Sequence, residues 1–325
     1  MLFDTHTHPY ITFKKSPDTI LENFFRDRDN LLVSIACDRE TSLQSIKLAK
    51  KYSWVYATIG FHPCDLPYSS HSSLQSSHNT SLDSPLRGEV ELQEIATSFP
   101  TKGKEFKTEL SCDTQSSSQF FSLQERMGLQ IDKLKDLYHQ HERYIVAVWE
   151  TGLDYYHLAS IAEKTGLTEE QIKNIQKDYF RAQIRLAHEL DLPFVIHARE
   201  SNDDVLDILT EERAKNYVFH CYSEDRDFAH KVLKQNPEAM FWFWGTLTFK
   251  KSRDLQEVAR TLPLSRILIE TDAPFLTPEP LRGREENEPY FVSHVLTKLQ
   301  ELRSESPEEV KRAVYENGKR FYRID

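Results

Sequence analysis

Short β-branched and apolar runs recur along the chain, and the stretches between them carry apolar residues at helical spacing. The runs are Met1 to Thr5, Leu31 to Cys37, Val55 to Ile59, Tyr144 to Val148, Pro193 to Ile196, Tyr217 to Phe219, Ala239 to Phe243 and Arg266 to Ile269. The clearest helical face is Ile172, Ile175, Tyr179, Ile184, Ala187 and Leu190, opened by a capping box of Thr168 and Gln171. Ser306-Pro307-Glu308-Glu309 opens another helix, with serine as cap and proline in the first turn. Strands alternating with helices imply parallel strands joined by crossovers, and eight strands are enough to close a TIM-like (β/α)8 barrel of the α/β class. A doubly wound open sheet is the alternative.

Residues 66–141 break this rhythm between the third and fourth strands. They are rich in serine, as in Ser69-Ser70-His71-Ser72-Ser73 and Ser116-Ser117-Ser118, and read as an insertion within one domain spanning 1–325. Up to about Pro85 the segment reads as a flexible loop, in which His71 and His78 are expected to be solvent-exposed rather than ligands or a lid. Apolar positions at Leu123, Met127, Ile131, Leu134 and Tyr138 predict a helix over Leu123 to His141.

Composition narrows the class. The 325 residues are 39% hydrophobic, and no apolar run approaches the roughly 20 residues of a membrane span. The start, Met1-Leu2-Phe3-Asp4-Thr5-His6, has neither the basic end nor the apolar core of a signal peptide. Cys37, Cys64, Cys112 and Cys221 lie far apart with no C-x-x-C pair, so reduced thiols and a cytoplasmic location are expected; a monomer is the favoured state, on no signal from the cysteines. A net charge of -10 repels polyanions at long range, so any action on nucleic acid must rest on a local cationic and metal-lined pocket.

Candidate chemistry gathers at the ends of the runs. Asp4-Thr5-His6-Thr7-His8 ends the first, and residues two apart in an extended chain share a side, so His6 and His8 can grip one ion together. His62 follows the third run, Glu150 the fourth, His197 the fifth, His220 the sixth and Asp272 the eighth. Barrel strands all run one way, so these ends converge on the face where barrel enzymes place their sites. Imidazoles and carboxylates without a thiolate suit Zn, Mn, Co, Ni or Fe, and Mg suits the carboxylate-rich half. Two divalent ions roughly 3.5 to 4 Å apart need a bridging ligand, for which Glu150 is the candidate. His6, His8 and Asp272 would hold one ion, and His197 and His220 the other. Such a pair yields hydrolysis through a metal-activated water, with Asp272 also placed as general base. G-x-S-x-G, P-loop and G-x-G-x-x-G motifs are all missing, which removes the simplest serine hydrolase, NTPase and dinucleotide readings.

These residues carry a resemblance to the TatD family of metal-dependent deoxyribonucleases, among the amidohydrolase-like barrels. The matching stretches are Phe3-Asp4-Thr5-His6-Thr7-His8, Gly60-Phe61-His62-Pro63, Glu150-Thr151-Gly152-Leu153-Asp154-Tyr155-Tyr156, Val195-Ile196-His197-Ala198-Arg199, Phe219-His220-Cys221-Tyr222-Ser223 and Glu270-Thr271-Asp272-Ala273-Pro274-Phe275-Leu276. The resemblance implies the same six ligands and assigns His62 to a substrate phosphate instead of a metal. It further implies phosphodiester hydrolysis, typically exonucleolytic trimming of DNA from the 3′ end, supported by Mg or a similar ion. Arg199, Arg282 in Leu281-Arg282-Gly283, and Asn287 with Glu288 match motif positions near the pocket mouth, with Arg199 and Arg282 as substrate contacts. For Arg282 a surface salt bridge is the competing role, and Tyr155 and Tyr156 either stack on a base or pack at the rim. The rival functions are hydrolysis of another substrate on the same barrel, such as an aminoacyl ester on tRNA or a small amide, and a scaffold that has lost catalysis.

The chain departs from the family pattern at three large residues. Trp149 stands where the pattern has glycine, and Trp242 and Trp244 fall in a seventh strand where small residues are usual. Alternation along the fourth strand predicts that Trp149 points away from the lumen into the helix layer, where overpacking would displace Glu150. Only 9 glycines occur in 325 residues, well under the roughly 7% expected, which suggests that some of these tryptophans are UGA codons natively read as glycine.

Overall fold

Each of the eight apolar runs becomes a strand in the computed structural model, which describes residues 1–11, 14–68 and 122–325. They are β1 (Phe3–Thr7), β2 (Leu31–Ser34), β3 (Val55–Ile59), β4 (Ile145–Asp154), β5 (Phe194–Arg199), β6 (Tyr217–Phe219), β7 (Met240–Phe243) and β8 (Ile267–Ile269). Their order in the sheet is their order in the chain, and every neighbouring pair is parallel. The two ends meet. Thr7 bridges Ala273, the Asp272 amide donates to the His6 carbonyl at 3.0 Å, and the Thr5 hydroxyl donates to the Ile269 carbonyl at 2.7 Å. Sequential order with closure is a barrel, and it excludes the doubly wound sheet, whose strand order reverses part-way.

Helices α1 (Pro17–Phe24), α2 (Arg39–Lys51), α3 (Leu123–His141), α4 (Leu158–Thr165), α5 (Glu169–Glu189), α6 (Asn202–Glu211), α7 (Arg226–Gln235), α8 (Arg253–Thr261), α9 (Val292–Leu302) and α10 (Pro307–Tyr322) cover the outside. The capping box at Thr168 and Gln171 forms, and Ser306 caps α10 ahead of Pro307. None of the helices among the described residues is long and apolar enough to cross a membrane. The helix expected over Leu123 to His141 is α3, capped by Ser122 and Glu125. It occupies the crossover between β3 and β4, so it is the barrel's own third helix, and only the serine-rich stretch ahead of it exceeds a standard unit. That stretch, with His71, His78 and Cys112, lies outside the described residues.

Apolar side chains separate into two layers. Ile59, Val148, Phe194, Ile196 and Phe219 face the helices, against Phe180, Ile184 and their neighbours. Val33, Ile35, Ala147, Val195, Val218, Met240 and Leu268 fill the barrel interior, and Trp149 and Trp242 belong to this inner group. Trp149 therefore points into the lumen, contrary to the expectation from alternation. The register between β4 and β5 shifts between Val148 and Thr151, and an extra residue there lets Trp149 and Glu150 both face inward.

Two glycines sit where backbones touch. A Cβ on Gly60 would fall 1.9 Å from the Trp149 carbonyl oxygen, and one on Gly152, with φ of 142°, would fall 2.0 Å from that of His197. These contacts draw β3, β4 and β5 together at the end of the barrel that carries Glu150 and His197.

Candidate metal centre

Two groups of lone-pair donors form at the C-terminal ends of the strands. In the first, His6 Nε2 lies 3.0 Å from His8 Nε2, and both face Asp272 Oδ1, at 3.1 and 3.4 Å. In the second, His197 Nδ1 lies 3.0 Å from both His220 Nε2 and Glu150 Oε1, and His220 Nε2 is 2.6 Å from the same carboxylate oxygen. In each group three donor atoms crowd one small volume, and hydrogen bonds alone cannot satisfy three mutual contacts of this kind. A cation at the centre of each would satisfy all three, so the residues fit a metal pair. The rings of His6 and His220 stack at 5.0 Å between centroids, which sets the two groups side by side.

His62 belongs beside the second group. Its Nε2 lies 3.6 Å from Glu150 Oε1, and its ring is 4.6 Å from that of His197. Trp149 does not displace Glu150, as the contacts of that carboxylate show; instead its indole lies edge-on to His6 at 4.3 Å and near His220 and Trp242 at 5.0 Å.

Charge at the site favours a cation. Burial opposes charge on His6, but Glu270 and Asp272 outweigh it and raise the ring to about 10. Burial is likewise outweighed at His197, which Asp154 and Glu150 raise to about 9. The carboxyls of Glu150 and Asp272 resist protonation despite burial: His62 and His220 act on the first, His6 and His8 on the second. His8 is lowered, first by burial, and burial takes His62 down to about 4, so both are neutral at pH 7.

Two acidic residues complete the site that the strand-end reading did not single out. Glu270 Oε2 lies 3.0 Å from His6 Nδ1, and Asp154 Oδ2 lies 2.9 Å from His197 Nε2. Asp154 bonds the ring nitrogen of His197 that faces away from the donor group, the arrangement that orients histidine ligands, and Glu270 faces the corresponding nitrogen of His6 as a charge partner. A signal for them existed in the chain: Glu270 is two residues before Asp272 and Asp154 four after Glu150, so both share a strand side with a candidate ligand. Polar supports extend outward. Asp4 accepts from the Thr271 amide and hydroxyl at 2.9 and 2.6 Å, and Gln183 on α5 bonds Phe61 and Thr151, tying the ends of β3 and β4.

The remaining expected residues lie around the rim. Arg199 ends β5 with its guanidinium 4.0 Å from the exposed Tyr156 ring. Arg282 lies 3.9 Å over Phe249, in the segment that Asn287 anchors by donating to the Thr271 carbonyl at 2.8 Å. Buried Glu288 pairs with Lys15. Tyr155 is held by its hydroxyl on Asp204 at 2.6 Å and by Lys173 over its ring, so it packs at the rim.

Comparison with known proteins agrees with this geometry. A family model described as TatD related DNase matches residues 3–323. A Bacillus subtilis protein named as an uncharacterized metal-dependent hydrolase, YabD, is 30% identical over the full length of both chains. The Escherichia coli metal-dependent hydrolase YcfH is 36% identical over 57% of this chain and 65% of its own. Among solved structures, the TatD homologue YjjV of Escherichia coli superposes with a TM-score of 0.71 at 20% identity, covering 100% of this chain and 98% of that one. A TatD family hydrolase from Entamoeba histolytica gives 0.68 at 17% identity, over 99% and 97% of the two chains.

Proposed function

The chain belongs to the TatD-related DNase family of metal-dependent hydrolases, and we propose that it cleaves phosphodiester bonds of DNA as a 3′–5′ exonuclease. The observation that carries this reading is the pair of three-donor groups side by side, His6, His8 and Asp272 in one and Glu150, His197 and His220 in the other. These six residues would hold two divalent ions, with Glu150 between them and Mg the ion expected to support activity. When bound, such a pair makes water acidic enough to attack near neutral pH and offsets charge on a phosphodiester in flight.

The chain's own groups supply the rest. Asp272, ionised at neutral pH and with its side chain 14% exposed, would accept the proton of the attacking water. Neutral His62 donates to a phosphate oxygen beside Glu150. Arg199 and Arg282 provide the local positive charge that a chain of net charge -10 needs in order to hold a polyanion. A cationic footprint limited to such rim residues suits release of one nucleotide at a time from an unpaired 3′ end and requires only a monomer.

The test strips and restores divalent ions and follows nucleotide release from 3′-labelled and 5′-labelled single-stranded DNA, with Glu150→Ala as control. Release of the 3′ label first, dependent on metal and lost in the variant, supports the proposal. Two bound ions without DNA cleavage would overturn the substrate and turn the search to esters on tRNA or small amides. Failure to bind metal would indicate a scaffold.

A further inference from the structure

A further cluster of possible ligands adds no donor to either three-donor group and touches them only through Asp154, which also supports His197. Cys64, just after β3, Asp154 at the end of β4, and His157, just ahead of α4, offer sulfur, oxygen and nitrogen atoms within 4.8 Å of one another. Cys64 Sγ is 3.7 Å and Asp154 Oδ2 is 2.9 Å from the same atom, His157 Nδ1. That shared atom decides between two readings. A nucleophilic relay needs the thiol on one imidazole nitrogen and the carboxylate on the other, whereas here both converge on Nδ1. Convergence of thiol, carboxylate and imidazole on one point is instead the pattern of a metal site. In a tetrahedral zinc site, bonds of about 2.3 Å to sulfur and 2.0 Å to nitrogen place those two atoms about 3.6 Å apart. The observed sulfur–nitrogen separation of 3.7 Å is close to that, while the oxygen–nitrogen separation of 2.9 Å opens by a few tenths of an ångström to reach the roughly 3.3 Å of the same geometry.

The geometry points to a third cation site, formed by Cys64 Sγ, Asp154 Oδ2 and His157 Nδ1, for a borderline divalent ion of the zinc type. Its donors separate it from the two groups described above, which contain no sulfur, and a thiolate selects zinc or cobalt over magnesium. Asp154 is buried while the His157 side chain is 35% exposed, so one flank is open to solvent and leaves a fourth position for water. On loading, the Cys64 thiol loses its proton to solvent as the metal–sulfur bond forms. Because Asp154 Oδ2 also faces His197 Nε2, the third ion draws on the carboxylate that orients a ligand of the proposed catalytic pair. Zinc in this place would therefore tune the catalytic pair from outside it.

Cobalt(II) titration of the full chain tests the site, because a cobalt–thiolate bond gives a near-ultraviolet charge-transfer band that His and carboxylate ligands do not. The expected result is such a band, lost in both Cys64→Ser and His157→Asn together with one cobalt per chain, and kept in Cys37→Ser, Cys112→Ser and Cys221→Ser. His157 is partly exposed, so its variant keeps the test open should the serine variant misfold. No thiolate band at saturating cobalt overturns the proposal, and so does a band that survives Cys64→Ser or His157→Asn. Neither readout depends on DNA cleavage, so the site and the proposed activity stand or fall separately.

Discussion

Asp154 Oδ2 lies 2.9 Å from His197 Nε2, on the side of the ring opposite the nitrogen that faces Glu150 at 3.0 Å. The carboxylate therefore fixes both the tilt and the tautomer of His197, leaving Nδ1 with a lone pair for a cation. Asp154→Asn keeps the shape but removes the charge. We expect metal affinity at the second group to fall roughly 10- to 100-fold while the circular dichroism spectrum stays unchanged. Competition with a chelator measures this, and unchanged affinity would show that Asp154 does not orient the ring.

His62 separates metal holding from substrate holding. It sits 3.6 Å from Glu150, close enough for either role, and burial keeps it neutral. As a phosphate donor it can be removed without loss of an ion, so His62→Ala should retain full metal content. A hydrogen bond to a charged group contributes about 1.5 to 3 kcal/mol, which predicts a roughly 10- to 100-fold loss in kcat/KM on DNA. Loss of an ion from the variant would make His62 a ligand instead.

Metal uptake should release protons. His6, raised to about 10, and His197, raised to about 9, carry protons at neutral pH before metal arrives, and a ligand nitrogen must give its proton up. Apparent affinity is therefore expected to rise with pH from about 7 through about 10 and to level off once both rings are neutral. For the metal-free protein the sign is opposite: folded values above the unfolded 6.5 give stability that is complete below pH 6.5 and lost as pH rises through about 9 to 10. Calorimetry in buffers of different ionisation enthalpy counts the protons, and a release of none at pH 7 would contradict the assigned charge states.

The six candidate ligands were legible because each lies at or just after the end of a short apolar run, and in a barrel every such position lies at one end. What a strand-by-strand reading misses is the pairing between strands. Glu270 reaches His6 across the seam that closes the barrel, and Asp154 reaches His197 from the neighbouring strand, so their roles depend on register and not on local pattern. The direction of Trp149 departs from simple alternation for a related reason. Alternation assumes a regular pleat, and the irregularity between Val148 and Thr151 adds a residue at the site, so two successive side chains face inward.

Trp149, Trp242 and Trp244 bear on what the native chain contains. All three are buried, and each indole Nε1 lacks a hydrogen-bond partner among the described residues, whereas Trp54 is exposed. An unpaired buried donor costs about 1 to 3 kcal/mol, so three within two adjoining stretches is a burden that tryptophan seldom carries. Glycine codons read as tryptophan would explain these unpaired donors, and they fit the direction of the glycine shortage, though three such positions would not by themselves make up the shortfall from 9 glycines in 325 residues. Mass spectrometry of peptides from the native protein is expected to show glycine at these positions, and a chain carrying Trp149→Gly, Trp242→Gly and Trp244→Gly should melt higher than the tryptophan form. If tryptophan is native, the same substitutions empty part of the lumen beside His6, and each large deletion costs about 3 to 5 kcal/mol. The melting temperature then moves down, so the sign of one measured shift separates the two readings.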